Sequence, residues 1–146
     1  MAGLPMRVLV ADDFEPLRRF ACSTLEKLPQ LKLVGKASDG LEALQKAQEL
    51  QAEMILLDIS LPKLNGFEVA RRLREHDPRL KIIFFSENRS FDIAEDALRI
   101  GVSGYIVKSD AGTELLPALR AVLQGKQYVS SSLAGRVLRA PQPAAL

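Results

Sequence analysis

Read for hydrophobic and polar positions, the chain alternates two kinds of segment. Short apolar, β-rich runs cover residues 6–11, 31–37, 54–59, 81–86 and 104–107. Between them apolar residues recur at helical spacing. The stripes are Leu17, Phe20, Ala21, Thr24, Leu25 and Leu28; Ala43, Leu44, Ala47 and Leu50; Val69, Ala70 and Leu73; Ile93, Ala94, Ala97 and Leu98; and Leu115, Leu119, Val122 and Leu123. Helix starts are marked as well. Asp39 precedes Glu42 by three residues and Asn65 precedes Glu68 by three, the spacing of capping boxes. Pro16 suits a first helical turn. Pro117 has no N–H to donate, so the fifth helix is predicted to start late, near Thr113.

Strand starts near residues 6, 32, 54, 81 and 103 lie 22 to 27 residues apart, which fits five βα units in succession. The third and fourth runs are apolar on both faces, as in a buried parallel sheet. The reading is an α/β fold: a three-layer, doubly wound (βα)5 parallel sheet with helices on both sides. After residue 124 the pattern changes. Leu133, Arg136, Val137 and Arg139 suit one short helix, and residues 140–146 are rich in Ala, Pro and Gln and expected to fray.

Composition narrows the class. A chain of 146 residues is close to one domain, with 47% hydrophobic and 26% charged residues, so disorder throughout is excluded. The net charge of +2 does not by itself suggest nucleic-acid or membrane binding. The single cysteine, Cys22, excludes an intrachain disulfide and fits a reducing compartment. With one His besides, His76, the usual multi-ligand zinc sites are excluded too. Residues 1–6 do not read as a signal peptide, and apolar runs such as 54–57 are too short to span a bilayer, so a cytoplasmic location is expected. Cys22 is read as inert near the core stripe, and His76 as a solvated surface residue.

In such sheets ligands bind beyond the carboxyl ends of the strands. The first strand runs into Asp12 and Asp13, the third into Asp58, the fourth into Ser86 and the fifth into Lys108. Each has a plainer reading: Asp12 and Asp13 as helix caps, Asp58 as turn chemistry, Ser86 as a partner for a loop amide, Lys108 as a solvated lysine. Together they place three carboxylates, a hydroxyl and an ammonium on one edge. Two carboxylates about 4 Å apart repel by about 4 kcal/mol at an effective dielectric near 20. Three close together resist full ionisation without a cation. Hard oxygen ligands suit Mg²⁺, and a cation, a lysine and a hydroxyl beside a spare carboxylate suit phosphoryl transfer, with an aspartate able to act as nucleophile.

The chain resembles the receiver domains of bacterial two-component response regulators. The matching pieces are Val8-Leu9-Val10-Ala11-Asp12-Asp13; Leu56-Leu57-Asp58-Ile59-Ser60-Leu61-Pro62 with Asn65-Gly66; Phe84-Phe85-Ser86; and Gly104-Tyr105-Ile106-Val107-Lys108. The resemblance implies a flavodoxin-like fold with sheet order 2-1-3-4-5. It implies that Asp58 accepts a phosphoryl group from a phosphohistidine on a sensor histidine kinase. Asp13, Asp58 and the Ser60 backbone carbonyl would bind Mg²⁺ directly, and Asp12 mostly through water. Lys108 would pair with phosphoryl oxygens. Ser86 would swing toward the phosphoryl group, and Tyr105 would move inward as an aromatic switch; a fixed, half-buried strand tyrosine is the alternative. The fourth helix, fifth strand and fifth helix would form the output surface.

Two departures stand out. Glu87 occupies a place often held by a small residue, and is expected to restrict access to Asp58 and slow both gain and loss of the phosphoryl group. Ser109 follows Lys108 where many receivers have a cis proline, so a trans bond is expected. Lys108-Ser109-Asp110 and the stretch from Gly125 to Ser130 resemble receivers joined to LuxR-type helix-turn-helix domains. Residues 1–125 are assigned to the receiver and 126–146 to a tail or linker. That tail is too short for a DNA-binding output domain, so this segment is not expected to bind nucleic acid directly. The resemblance allows a homodimer without choosing its face.

The expected role is a phosphoacceptor module controlling an output such as transcription, not an enzyme acting on outside substrates. A single-domain or degenerate receiver acting as a protein-interaction module without phosphorylation is the alternative. A phosphatase would want an acid/base where Ser60 stands, and a nucleotide-binding domain would want a phosphate-cradling loop where Asp12-Asp13-Phe14-Glu15 would repel one.

Overall fold

Alternation along the central strands divides the side chains between two layers. In β1 (Met6–Ala11), Leu9 and Ala11 face one side while Val8 and Val10 face the other. In β3 (Met54–Asp58), Ile55 and Leu57 are set against Met54 and Leu56 in the same way. The pattern repeats in β4 (Lys81–Ser86), with Ile82 and Phe84 against Ile83 and Phe85. The computed structural model describes residues 3–133. β2 (Leu31–Ala37) and β5 (Gly104–Val107) flank these strands, and β6 (Tyr128–Val129) follows β5. All pair in parallel, in the order β2-β1-β3-β4-β5-β6.

The helices are α1 (Glu15–Leu25), α2 (Gly40–Glu49), α3 (Gly66–His76), α4 (Phe91–Arg99) and α5 (Ala111–Leu123). Apolar residues of α2, α3 and α4 cover the Leu9/Ile55/Phe84 face, and those of α1 and α5 the Val8/Leu56/Phe85 face. The expected three-layer, doubly wound architecture is therefore present. Among the described residues no helix is long and apolar enough to cross a membrane.

The capping signals act as expected at α2, where Asp39 accepts from Glu42 N at 2.8 Å and Glu42 Oε1 accepts from Ser38 N at 2.6 Å. At α3 Asn65 accepts from Glu68 N at 3.0 Å, but Glu68 turns to Arg72 instead of closing the box. The fifth helix does not wait for Thr113: it begins at Ala111, straight after a 3-10 turn over Lys108–Asp110. Burial of Ala111 and Leu115 fixes that start. Pro117 lies on the exposed face, and the carbonyl it cannot serve belongs to Thr113, itself an exposed residue.

The sheet runs past residue 125, where the tail was expected to begin. Gly125, at φ +79°, ends α5 with Gly125 N–H on Val122 O and Lys126 N–H on Ala121 O, a Schellman turn that sends the chain back along β5. Ser130 follows β6, donating its N–H to Tyr105 O, accepting from Val107 N on its hydroxyl, and lying fully buried. Leu133 is buried in the α4-side core. The helix expected from Leu133 to Arg139 falls mostly outside the described residues, with only 131–133 seen in helical conformation.

Candidate functional site

The carboxyl ends of β1, β3 and β5 converge on one patch. Asp12 and Asp58 are buried and Asp13 is exposed, with one carboxylate oxygen from each within 4.8 Å of the others. Lys108 Nζ stands 2.9 Å from Asp12 Oδ2 and 3.3 Å from Asp58 Oδ2. One ammonium thus pairs with two of the three carboxylates. The plainer readings resolve against this geometry. Phe14, not an aspartate, is the N-cap of α1, and Asp12 Oδ1 accepts from Phe14 N at 2.8 Å in an Asx turn. Asp58 Oδ1 does serve its turn, accepting from Ser60 N at 3.1 Å, but Oδ2 is left for Lys108. Lys108 is not a solvated lysine.

Electrostatics follow from burial and crowding. Desolvation, then the Asp12 charge, pushes the Asp58 carboxyl above the usual range, against the pull of Lys108 and the Ser60 N–H. Burial alone would lower the Lys108 ammonium, yet its contacts with Asp12 and Asp58 hold it above the ordinary lysine value. Asp12 Oδ2 is buried, with Lys108 Nζ at 2.9 Å as its counter-charge. Carboxylate oxygens of Asp12, Asp13 and Asp58 within 4.8 Å of one another are crowded hard donors, and such a set fits a small divalent cation.

The remaining expected residues surround this patch. Ser86 ends β4, is buried, and its hydroxyl accepts from Asn88 N at 3.0 Å, so it does satisfy a loop amide. Tyr105 is fully buried, not half-buried, and its hydroxyl donates to Asn88 O at 2.8 Å. Burial raises its phenol above the usual range, with the Ser86 hydroxyl opposing. The side chain already occupies an inward position. Glu87 and Ser60 are exposed. The described residues contain no cis peptide, so Lys108–Ser109 is trans as expected. Cys22 is buried on α1, where desolvation raises its thiol, and His76 is exposed at the end of α3.

Three residues escaped the sequence reading. Asn88 links Ser86 to Tyr105 through its backbone. Arg18 donates to the Asp12 carbonyl at 2.6 Å from α1. Arg89 reaches Ser109 Oγ at 2.6 Å and lies 3.9 Å from Asp110, joining the loops after β4 and β5. Only Asn88 had a local signal, standing two residues after a serine as in an ST-turn.

Residues 8–120 match the family model described as the response regulator receiver domain, and the chain belongs to that family. It is 35% identical over 142 residues to the transcriptional activator protein ExaE of Pseudomonas putida, a match covering 94% of this chain and 64% of that protein. It is 32% identical over 129 residues to the nitrate/nitrite response regulator protein NarL of Escherichia coli K12, covering 88% and 60%. The chain thus spans somewhat under two thirds of these relatives. Among solved structures, a LuxR-family two-component response regulator from an Aurantimonas species superposes with a TM-score of 0.85 at 28% identity, covering 92% of this chain and 96% of that one. The isolated REC domain of RcsB from Salmonella enterica serovar Typhimurium, in the presence of phosphomimetic BeF3−, gives 0.85 at 26% identity, covering 90% and 97%.

Proposed function

We propose that Asp58 accepts a phosphoryl group from a phosphohistidine of a sensor histidine kinase and that the receiver then switches an output, such as transcription. The observation that carries this is the buried Asp58 carboxylate held between Lys108 and the Asp12–Asp13 pair. A carboxylate oxygen of Asp58 attacks phosphorus as the P–N bond to imidazole breaks; the imidazole leaves and takes up a proton. Lys108 neutralises charge on the phosphoryl oxygens, and Ser86 donates to them once released from Asn88. Asp13, Asp58 and the Ser60 carbonyl would hold Mg²⁺, with Asp12 acting through water; when bound, the cation neutralises the crowded oxygens. Water later cleaves the acyl phosphate and restores Asp58. The chain is the acceptor in this transfer, not an enzyme turning over outside substrates.

The chain spans 64% and 60% of two longer relatives, and DNA contact is assigned to the part of the regulator outside this segment, while a homodimer through the receiver stays open. The test is intact mass after incubation with acetyl phosphate, with and without Mg²⁺, beside Asp58→Ala. One Mg²⁺-dependent adduct of a single phosphoryl group, absent from the variant, is expected. No adduct on the wild-type chain or on Glu87→Ala, which opens the approach to Asp58, would overturn the reading.

A further inference from the structure

The corner between β2 and α2 supplies no ligand to the acidic patch, yet it grips both parts of it. On one side Ala37 O accepts from Asp12 N at 3.0 Å. On the other, Gly40 N donates to Pro62 O at 3.0 Å, and Pro62 O also accepts from Leu64 N at 2.8 Å. Beside this, Lys63 Nζ lies 3.4 Å from Asp39 Oδ2, while the other Asp39 oxygen caps α2 through Glu42 N. Lys63 holds a φ of +70°, a conformation costly for a residue with a side chain, so the loop after β3 keeps a shape that its own backbone does not favour. Contact at the corner is tight. A Cβ on Gly40 would sit 1.8 Å from Leu64 O and 2.7 Å from Leu64 C, both backbone atoms that cannot move without moving the loop. That loop begins at Asp58 and contains the Ser60 carbonyl. At its far end Gly66 closes it, with Gly66 N on Ile59 O at 2.7 Å and no room for a Cβ against Asp58 O at 2.3 Å.

We propose that Gly40, with Asp39 and Ala37 O, is a positioning corner for the phosphoacceptor site. It locks the β3–α3 loop to the β1 end, so that the Asp12–Asp13 pair, Asp58 and the Ser60 carbonyl hold a common spacing for a divalent cation. This inference rests on the reading of the patch as a Mg²⁺-dependent acceptor site. Glycine at residue 40 serves close approach of two backbones, since its position in the first turn of a helix has no need of conformational freedom.

The test is a Mg²⁺ titration of the full chain followed by amide NMR shifts at Asp13 and Ser60, for the wild-type chain, Gly40→Ala and Gly35→Ala. Gly35 is a matched control: an added Cβ there meets the flexible end of Leu50, away from the loop. Alanine favours helix over glycine, so α2 itself is not weakened by Gly40→Ala. The expected result is at least a tenfold loss of Mg²⁺ affinity in Gly40→Ala and less than a twofold change in Gly35→Ala. Alongside, hydrogen exchange of the Gly40 amide in the wild-type chain is expected to slow several-fold on Mg²⁺ saturation. A folded Gly40→Ala that binds Mg²⁺ within twofold of wild type overturns the proposal. Where Gly40→Ala does not fold, unchanged exchange at Gly40 in the loaded wild-type chain overturns it. A wild-type chain that shows no Mg²⁺ shifts at all rejects the underlying reading instead, and this inference with it.

Discussion

Lys108 sets the charge balance of the acidic patch. It lies between two carboxylates that are almost wholly excluded from water, and no other cation pairs with either among the described residues. Removing one partner of a buried ion pair leaves the other charge without compensation, at a cost of about 3–5 kcal/mol. Lys108→Met, which keeps most of the packing volume, is therefore expected to lower the stability of the metal-free protein by about that amount at neutral pH. Urea unfolding in the presence of a chelator measures it; a change under about 0.5 kcal/mol, the level of an ordinary surface substitution, contradicts the assignment. Asp58 is the paired case: its carboxyl is raised by burial and by Asp12, which means the lysine offsets only part of the crowding.

At the scale of elements, the joint between α5 and β6 is the least expected feature. Glu114, in the first turns of α5, accepts from Tyr128 OH at 2.8 Å, Ser131 N at 3.0 Å and Ser131 Oγ at 2.8 Å. Ser132 Oγ adds a bond to Asp110 at 3.0 Å. The titration of this joint has a definite sign. Burial, then the Glu114 hydrogen bond and charge, raises the Tyr128 phenol to about 12. Its folded value lies above the unfolded one, so its stabilising contribution is complete below about pH 10 and is lost as pH rises through about 12. Burial pushes Glu114 up, but the bonds from Tyr128 and Ser131 outweigh it and leave the carboxyl below its usual range. That contribution is present above the ordinary glutamate pKa and is lost as pH falls through the folded value. The chain has two tyrosines, so in a Tyr105→Phe background the phenolate absorbance near 295 nm reports Tyr128 alone. Glu114→Gln is expected to bring that midpoint down from about 12 toward the ordinary tyrosine value. An unchanged midpoint would show that Glu114 does not hold the joint.

At the scale of the molecule, β6 makes the receiver a six-stranded rather than five-stranded sheet, with β2 and β6 at its edges. Val129 and Leu133 enter the α4-side core, and Tyr128 packs against the α5 side. Burying an aliphatic side chain contributes roughly 1.5–3 kcal/mol, and Val129 with Leu133 therefore contribute on the order of 3 kcal/mol. A chain ending at Gly125 is expected to lose about that much stability, and to leave the β5 edge open to pairing with another chain. Urea midpoints and sedimentation velocity check the two effects. Full stability in the shortened chain would mean that the strand is a passenger on the sheet.

The sequence by itself determined the layers and the polar residues along the sheet's carboxyl edge. Short apolar runs marked every strand from β1 to β5, and period-3.6 stripes marked the helices α1 to α5, because burial in a sheet or along a helix stripe dictates residue type locally. The acids, the serine and the lysine were legible for a related reason: they interrupt apolar strands at their carboxyl ends, where a parallel sheet exposes its ligand-binding edge. The tertiary structure alone decided what depends on contacts between distant segments. A two-residue strand carries no periodicity, and β6 exists only because β5 offers an open edge and the Gly125 turn aims the chain along it. Pro117 was over-weighted because its cost depends on whether the unserved carbonyl meets water. The inward seat of Tyr105 rests on the Asn88 carbonyl, 17 residues away in the chain. Gly40, which reads locally as the residue after a helix cap, owes its identity to a Leu64 carbonyl that only the folded chain brings beside it.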